Sequence, residues 1–304
     1  MKINGDYLEF TDLELNKRSK SKLGGHAFAE ILGMNPYTKV GDALLSHFNI
    51  VESEFDDKFK RRGDWAEKIA SQVMKKRGHT LRLFNDKNYW GDCFKEILPK
   101  NAVNPYFSGV IDIDLPSDKT LVEVKGKSLK DLEEVEKNPP RYEVIQSMLY
   151  GYMMGYDEVI MMWIFFDPTT EAQIFNNQPI TSFKEIKKLE QKYTVNRDAI
   201  GQMMNKAWQV KATFLKEKKI PLSEISPKVL EKVKAKIKEA EQKQIYHVDF
   251  DEFMDAMMKP NSSVVSALSE QNPYVSSNKE TTNSSKDEPV KNSNINQNPY
   301  RKEE

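Results

Sequence analysis

The sequence predicts an α/β chain of the α+β kind: a central mixed β-sheet flanked by helices, then a helical segment and a disordered tail. Three observations carry this. Strand-like and helix-like apolar spacings alternate along residues 1–260. Residues 107–115 alternate as a strand and residues 121–125 form a second; Pro116-Ser117-Asp118-Lys119 between them is turn chemistry, so the two make a hairpin. Residues 158–166 are a continuous apolar run, the pattern of a strand buried on both faces.

The elements follow in order. Residues 25–32 read as a helix start, followed by the turn Asn35-Pro36-Tyr37, and residues 42–48 read as helical. Residues 64–76 are an amphipathic helix with Ala66, Ile69, Ala70 and Val73 on one face, ending near Gly78, a natural C-terminal cap. The hairpin comes next. A helix over 141–154 starts just after Pro139-Pro140, and the buried strand over 158–166 follows it. Residues 182–216 read as helical, with their charges on a solvated face. Ser226-Pro227 then opens a further helix as N-cap and first residue. Leu230, Val233, Ile237 and Ala240 recur along it at helical spacing, a narrow stripe for packing on the body or on a neighbouring chain.

Residues 261–304 are rich in Ser, Asn, Lys and Glu and lack periodic apolar residues. Such a segment cannot bury enough surface to offset its ordering entropy. The expected division is a main domain over 1–225, a helical extension over 226–260 and a disordered tail over 261–304. Gln-Asn-Pro-Tyr occurs at 271–274 and again at 297–300. This echo is read as low-complexity repetition, with a pair of docking sites for a partner as the alternative.

Composition excludes several classes. The 304 residues carry 46 Lys plus Arg and 46 Asp plus Glu, so net charge gives no argument for a polyanionic partner. The single cysteine, Cys93, excludes a disulfide framework and any multi-cysteine zinc or iron–sulfur site. The N-terminus lacks the apolar core of a signal peptide, and the longest apolar run is too short to cross a bilayer. A soluble, cytoplasmic protein is expected.

The candidate chemistry lies in the hairpin. In LVEVKGK, Val122 and Val124 share one strand face, and Glu123 and Lys125 share the other. In FSGVIDIDL, Val110, Asp112 and Asp114 share a face, opposite Ile111, Ile113 and Leu115. With the faces aligned, an aspartate, a glutamate and a lysine converge. Two close carboxylates are costly unless a positive group lies between them, and a hard divalent cation such as magnesium takes oxygen ligands. The lysine would then orient or deprotonate an attacking water, or stabilise charge on a phosphorane-like centre. The plainer alternative is an exposed ion pair beside two solvent-facing aspartates. Glu67, in RRGDWAEKIA, lies beside the apolar face of its helix and either points inward or pairs with a lysine on the surface. Gln146, with Tyr150 one turn later, is either a satisfied core amide or a hydrogen-bonding group aimed into the site.

The ordered series Glu67, Gly109-x-x-Asp112, Glu123-x-Lys125 and Gln146-x-x-x-Tyr150 resembles the PD-(D/E)XK nuclease superfamily. Within it the pattern is similar to the YqaJ-type viral recombinases, the lambda-exonuclease-like group. LGGHAFAEILGMNPYTKVGDAL resembles that group's opening stretch and RRGDWAEKIA its R-G-x-x-x-E helix; the likeness runs from about Lys17 to about Phe166. The resemblance implies a restriction-endonuclease-like core. Asp112 and Glu123 would be metal-binding carboxylates, with the Val124 carbonyl completing the shell. Lys125 would be the catalytic lysine, Glu67 an accessory acid on the metal–water network, and Gln146 a group orienting water or phosphate. Tyr150 would lie against DNA or phosphate. Asp114 is the alternative ligand to Asp112, which is preferred because it follows Gly109 at the family spacing. Magnesium is the implied cofactor, with manganese as a substitute.

The implied activity is exonucleolytic, 5′ to 3′ on linear double-stranded DNA, in phage-type recombination beside a single-strand annealing protein, with a homotrimeric ring as the implied assembly. A structure-specific or restriction-like endonuclease and a non-catalytic DNA-binding adaptor are the alternatives. The cluster Lys17, Arg18, Lys20 and Lys22 lies about where a 5′-phosphate would be gripped, and is otherwise a solvated basic loop. His26 stands where the family often has serine, as a packing or capping residue or as a phosphate contact.

Overall fold

The computed structural model describes residues 1–16, 21–52, 56–84, 91–180 and 186–258, with backbone alone for Asn16 and for residues 243–258. One compact unit spans Met1–Gln242; in the second, Lys243–Glu304, only the end of a helix is described. Lys17, Arg18 and Lys20 of the expected basic cluster, and the tail with its repeat, lie outside the described residues.

The N-terminal part holds β1 (Lys2–Asn4), β2 (Tyr7–Glu9), α1 (Asp12–Asn16), β3 (Leu23–Gly24), α2 (Gly25–Ile31), α3 (Val40–His47) and α4 (Asp57–Lys76). The middle holds β4 (Arg82–Leu83), α5 (Phe94–Ile97), β5 (Phe107–Ser108), β6 (Ile113–Leu115), β7 (Thr120–Ser128), α6 (Leu132–Lys137), α7 (Arg141–Met154) and β8 (Glu158–Phe166). The chain continues through α8 (Pro168–Phe175), β9 (Ile186–Thr194), α9 (Arg197–Glu217), β10 (Lys219–Pro221) and α10 (Pro227–Met258).

The main sheet is mixed and five-stranded, in the order β4-β6-β7-β8-β9. β6 and β7 form the expected antiparallel hairpin, with Ile113 opposite Val122. β7 and β8 run parallel in register from Thr120 opposite Glu158 to Ser128 opposite Phe166. A parallel pair needs a crossover, and α7 supplies it. Pro139-Pro140 precedes its first turn, and Gly155 ends it in the left-handed conformation, φ 74°.

Strand alternation sorts the core into two layers. Val122, Val124, Ile160, Met162 and Ile164 meet Ala66, Ala70 and Met74 of α4. Leu121 and Val159 point to the other side, into the core with Leu149 and Tyr150 of α7. Met161, Trp163 and Phe165 pack there with Val135 and Val144. Gly126 of β7 lets α4 lie close to the strand: a Cβ there would stand 2.8 Å from the Arg62 carbonyl oxygen. Cys93 is fully buried, and burial pushes its thiol up to about 11. Among the described residues no helix is long and apolar enough to cross a membrane.

Three expectations are corrected. Residues 107–115 are not one strand: β5 pairs in parallel with β3, and only residues 113–115 join the main sheet. The break reverses a side chain, so Ile111 enters the α7-side core while Ile113 and Leu115 enter the α4-side core. The stretch over 182–216 is not one helix. Residues 186–194 form β9, antiparallel to β8, and α9 begins at Arg197, capped by the Asn196 side chain on the Ala199 N–H. As an edge strand β9 needs only one apolar side, and Leu189 and Tyr193 on the α7-side face supply it among charges that look helical in sequence. Finally, α4 starts at Asp57 rather than at residue 64, with Asp56 accepting from the Lys58 N–H.

Of the expected stripe on α10, Val233 is buried and Leu230 and Ile237 pack against the core of the body together with Val229, whereas Ala240 is exposed.

Candidate active site

β7 positions the centre of the site. Its apolar even-numbered residues Val122 and Val124 are held by α4, which forces Glu123 and Lys125 to the opposite face. Glu123 is 1% exposed. Its Oε1 accepts from Lys125 Nζ at 2.7 Å and from Gln146 Nε2 at 2.8 Å. Its Oε2 is buried with no hydrogen-bond partner among the described residues. A buried carboxylate oxygen without a donor is expensive unless a cation takes it.

Asp112 lies on the bend between β5 and β6, where the break in the strand brings its side chain to β7. Its Oδ2 accepts from the Val124 N–H at 2.7 Å. Burial raises its carboxyl to about 7, with Lys125 opposing and Glu67 adding to the rise. Burial, then Asp112, raises Glu123 to about 8. Glu67 projects from α4 and is raised to about 7 by burial, then by Asp64 and Glu123. Each of the three carboxyls is raised in part by another of them, with Lys125 opposing, so a further cation there would favour their charged forms. Burial alone would lower Lys125, but Glu123 and Asp112 outweigh it and its pKa is raised, so the side chain is an ammonium.

Gln146 comes from the middle of α7. Its Oε1 accepts from Lys125 Nζ at 3.4 Å, and its Nε2 also reaches Tyr150 Oη at 3.4 Å. Tyr150 is 3% exposed and lies beneath the site, so it presents no face to a phosphate. Two glycines make room for its ring: a Cβ on Gly25 would stand 2.1 Å from its Oη, and a Cβ on Gly109 2.2 Å from its Cε1. Gly109 is therefore the residue whose close approach lets the chain reach Asp112 at the expected spacing.

Sequence reasoning brings Glu67, Asp112, Glu123, Lys125 and Gln146 to one place, and the structure places them together. It separates others. Asp114 lies away from this cluster: it is fully buried, accepting from Arg82 Nε at 2.8 Å and from Tyr156 Oη at 2.9 Å. Lys22 pairs with the buried Asp92 at 2.8 Å. His26 lines the cleft over the site. Two neighbours were missed. Glu143 accepts from Lys127 Nζ at 2.7 Å and from Trp163 Nε1 at 2.7 Å, which fixes α7 against β7 and β8. The signal was available, since Lys127 continues the alternation of Glu123 and Lys125.

Among the described residues no three His, Cys, Asp or Glu side chains cluster tightly enough to hold a metal by themselves. The groups that could hold a hard cation are Asp112, the open oxygen of Glu123 and the adjacent Val124 carbonyl.

No family model and no curated protein matches this chain. Among solved structures it is similar to a phage-related exonuclease from Haemophilus somnus 129PT, at 15% identity and a TM-score of 0.43, over 64% of this chain and 96% of that one. It is also similar to an alkaline exonuclease from Laribacter hongkongensis, at 11% identity and a TM-score of 0.39, over 78% of this chain and 99% of that one. The dAMP complex of the latter matches at 12% identity and a TM-score of 0.42, over the same shares. These likenesses are distant.

Proposed function

We propose that this chain is a divalent-metal-dependent nuclease that hydrolyses DNA phosphodiester bonds, acting as an exonuclease on linear duplex. The observation that carries the reading is Glu123: a buried carboxylate with one oxygen held by an ammonium and an amide, and the other left open beside Asp112. Asp112, Glu123 and the Val124 carbonyl would hold magnesium, or manganese in its place, which supplies Lewis-acid chemistry at the phosphate.

The chain's own groups do the rest. Lys125, kept protonated by its carboxylate neighbours, acts as a donor that stabilises charge on the phosphate oxygens as water adds to phosphorus. Gln146 fixes the lysine and Glu123 in register and has an amide to orient the water or the phosphate. Glu67, with a carboxyl that titrates near neutrality, is suited to take a proton from water or return one to the departing oxygen. The resemblance of the motif series to the YqaJ-type group extends the proposal to 5′-to-3′ degradation in phage-type recombination, beside a single-strand annealing protein and as a trimer.

The test incubates the purified chain with 5′-phosphorylated linear duplex and with a covalently closed circle, with and without magnesium, beside Lys125→Ala. Loss of the linear DNA alone, needing both magnesium and Lys125, is the expected result. Cutting of the circle would move the assignment to an endonuclease. Binding without cleavage under any metal would move it to an adaptor.

A further inference from the structure

Glu143 is an acid beside Lys125 that the roles derived above do not use. Residues 123, 125 and 127 share one face of β7, and α7 lies over that face. Glu143 and Gln146, three residues apart on α7, lie on one side of the helix. Gln146 meets Glu123 and Lys125, and Glu143 meets Lys127. Glu143 and Gln146 line the same cleft as Lys125.

Glu143 is 6% exposed. Its Oε1 accepts from Lys127 Nζ at 2.7 Å and its Oε2 from Trp163 Nε1 at 2.7 Å. Both donors flank Lys125. Lys127 is two residues further along the strand, and Trp163 is the residue opposite Lys125 on β8. The Glu143 charge therefore reaches the site: burial works against the Lys125 ammonium, Glu123 and Asp112 favour it, and Glu143 adds to them. Among the described residues, however, Lys125 Nζ bonds Glu123 at 2.7 Å and Gln146 at 3.4 Å, and Glu143 is not one of its partners.

Two carboxylates thus compete for one ammonium, and Lys127 decides between them. With a second ammonium held against it, Glu143 exerts a much weaker pull on Lys125. Its other donors bring no charge: one is the Trp163 N–H, and the other is the Tyr142 hydroxyl, which burial and then Glu143 keep protonated. Without Lys127, a buried carboxylate would be left uncompensated, at a high cost. Lys125, on the same strand face between Lys127 and Glu123, is the cation it would draw on.

We propose that Lys127 is a positioning residue of the reaction: it occupies Glu143 and so leaves the Lys125 ammonium to Glu123 and the phosphate. The inference rests on the nuclease reading. It gives a task to a second lysine on the site face of β7, whose bond goes to Glu143 and not to a candidate metal ligand.

The test has two readouts, the first free of DNA and metal. NMR follows the Nζ resonance of Lys125, identified by its loss in Lys125→Ala, with each variant held below its own melting temperature. The resonance should move in Lys127→Gln, stay in place in Lys127→Arg and return in Lys127→Gln/Glu143→Gln. Single-turnover cleavage of linear duplex in magnesium should slow roughly tenfold to a hundredfold in Lys127→Gln with DNA affinity unchanged, and recover in the double variant. In a Lys125→Ala background, Lys127→Gln should cost nothing further, because no ammonium is left to divert. An equal loss in both backgrounds, or a double variant as slow as Lys127→Gln, would overturn the proposal and reduce the pair to a structural tie. Should Lys127→Gln fail to fold, the double variant decides alone: a rate and a resonance like the parent's support the proposal, and a slow chain with a displaced resonance overturns it. A parent chain that cleaves no DNA would overturn the nuclease reading, and the resonance would still decide whether Lys127 holds Lys125 in place.

Discussion

Gln146 Nε2 donates to Glu123 Oε1 across 2.8 Å, tying the middle of the crossover helix α7 to the strand that carries the candidate metal ligand. Lys125 Nζ reaches the same oxygen at 2.7 Å, so one acceptor holds two donors while its partner oxygen stays open. Position and protonation of all three groups are therefore coupled. Lys125→Ala should lower the cleavage rate about 10²- to 10⁴-fold. Gln146→Glu should also lose most activity, because it sets a carboxylate against Glu123 in place of a donor. Single-turnover rates on linear duplex check both; a Gln146→Glu chain as fast as the parent would remove Gln146 from the site.

The pH dependence of stability has a definite sign. Burial, first among the causes, raises Glu67 and Asp112 to about 7 and Glu123 to about 8. The unfolded chain releases those protons near the ordinary values of about 4 to 4.5. Between about pH 4.5 and pH 8 the folded state binds more protons than the unfolded one, so metal-free stability falls as pH rises. A ligated cation needs the deprotonated carboxylates, so the gain in Tm on adding magnesium should be larger near pH 8 than near pH 6. Thermal melts in EDTA and in magnesium at both pH values decide it. Equal gains would count against these carboxyls as the ligands.

Gly109→Ala should destabilise the fold by about 1–3 kcal/mol, because the new Cβ meets the buried Tyr150 ring at 2.2 Å and that ring is packed on every side. Activity should fall as well, since the displaced chain carries Asp112. The double change Gly109→Ala with Tyr150→Leu should recover part of the lost stability by clearing the space. Denaturant melts of the three variants show whether it does.

Asp112 and Asp114 should separate cleanly. Asp114 is fully buried and satisfied by Arg82 and Tyr156, so Asp114→Asn should cost about 1–3 kcal/mol and leave the magnesium dependence of cleavage unchanged. Asp112→Asn should abolish cleavage and, by removing one of the crowded carboxyls, raise the metal-free Tm near pH 8. Magnesium titrations and melts of the pair test this; a shifted magnesium requirement in Asp114→Asn would return it to the list of ligands.

The parts of the fold that the sequence makes legible are those whose ends are chemically marked. α7 lies between two prolines and a left-handed glycine, and β8 is an apolar run long enough for a strand and too short for a buried helix. β9 was hidden because an edge strand needs one apolar side, and Lys187, Lys188, Glu190 and Lys192 imitate a solvated helix. The break within residues 107–115 was hidden because Ile111, Ile113 and Leu115 alternate correctly although they end in different cores. For the site, strand alternation alone pairs Glu123 with Lys125. It treats Asp112 and Asp114 alike, because the difference lies in Arg82 and Tyr156, which are distant in sequence. Asn104-Pro105-Tyr106 makes the same turn as Asn35-Pro36-Tyr37, with the asparagine Oδ1 accepting the tyrosine N–H, and only Tyr37 lines the cleft.

Cys93 gives the chain a built-in clock. Its thiol is shielded from water and held near 11, far from the thiolate that alkylating reagents attack, and no second cysteine competes with it. Modification by a neutral maleimide then proceeds only as fast as the surrounding core opens, so labelling rate reports local unfolding directly. The same silence makes any cysteine placed on the surface a unique attachment point for a dye.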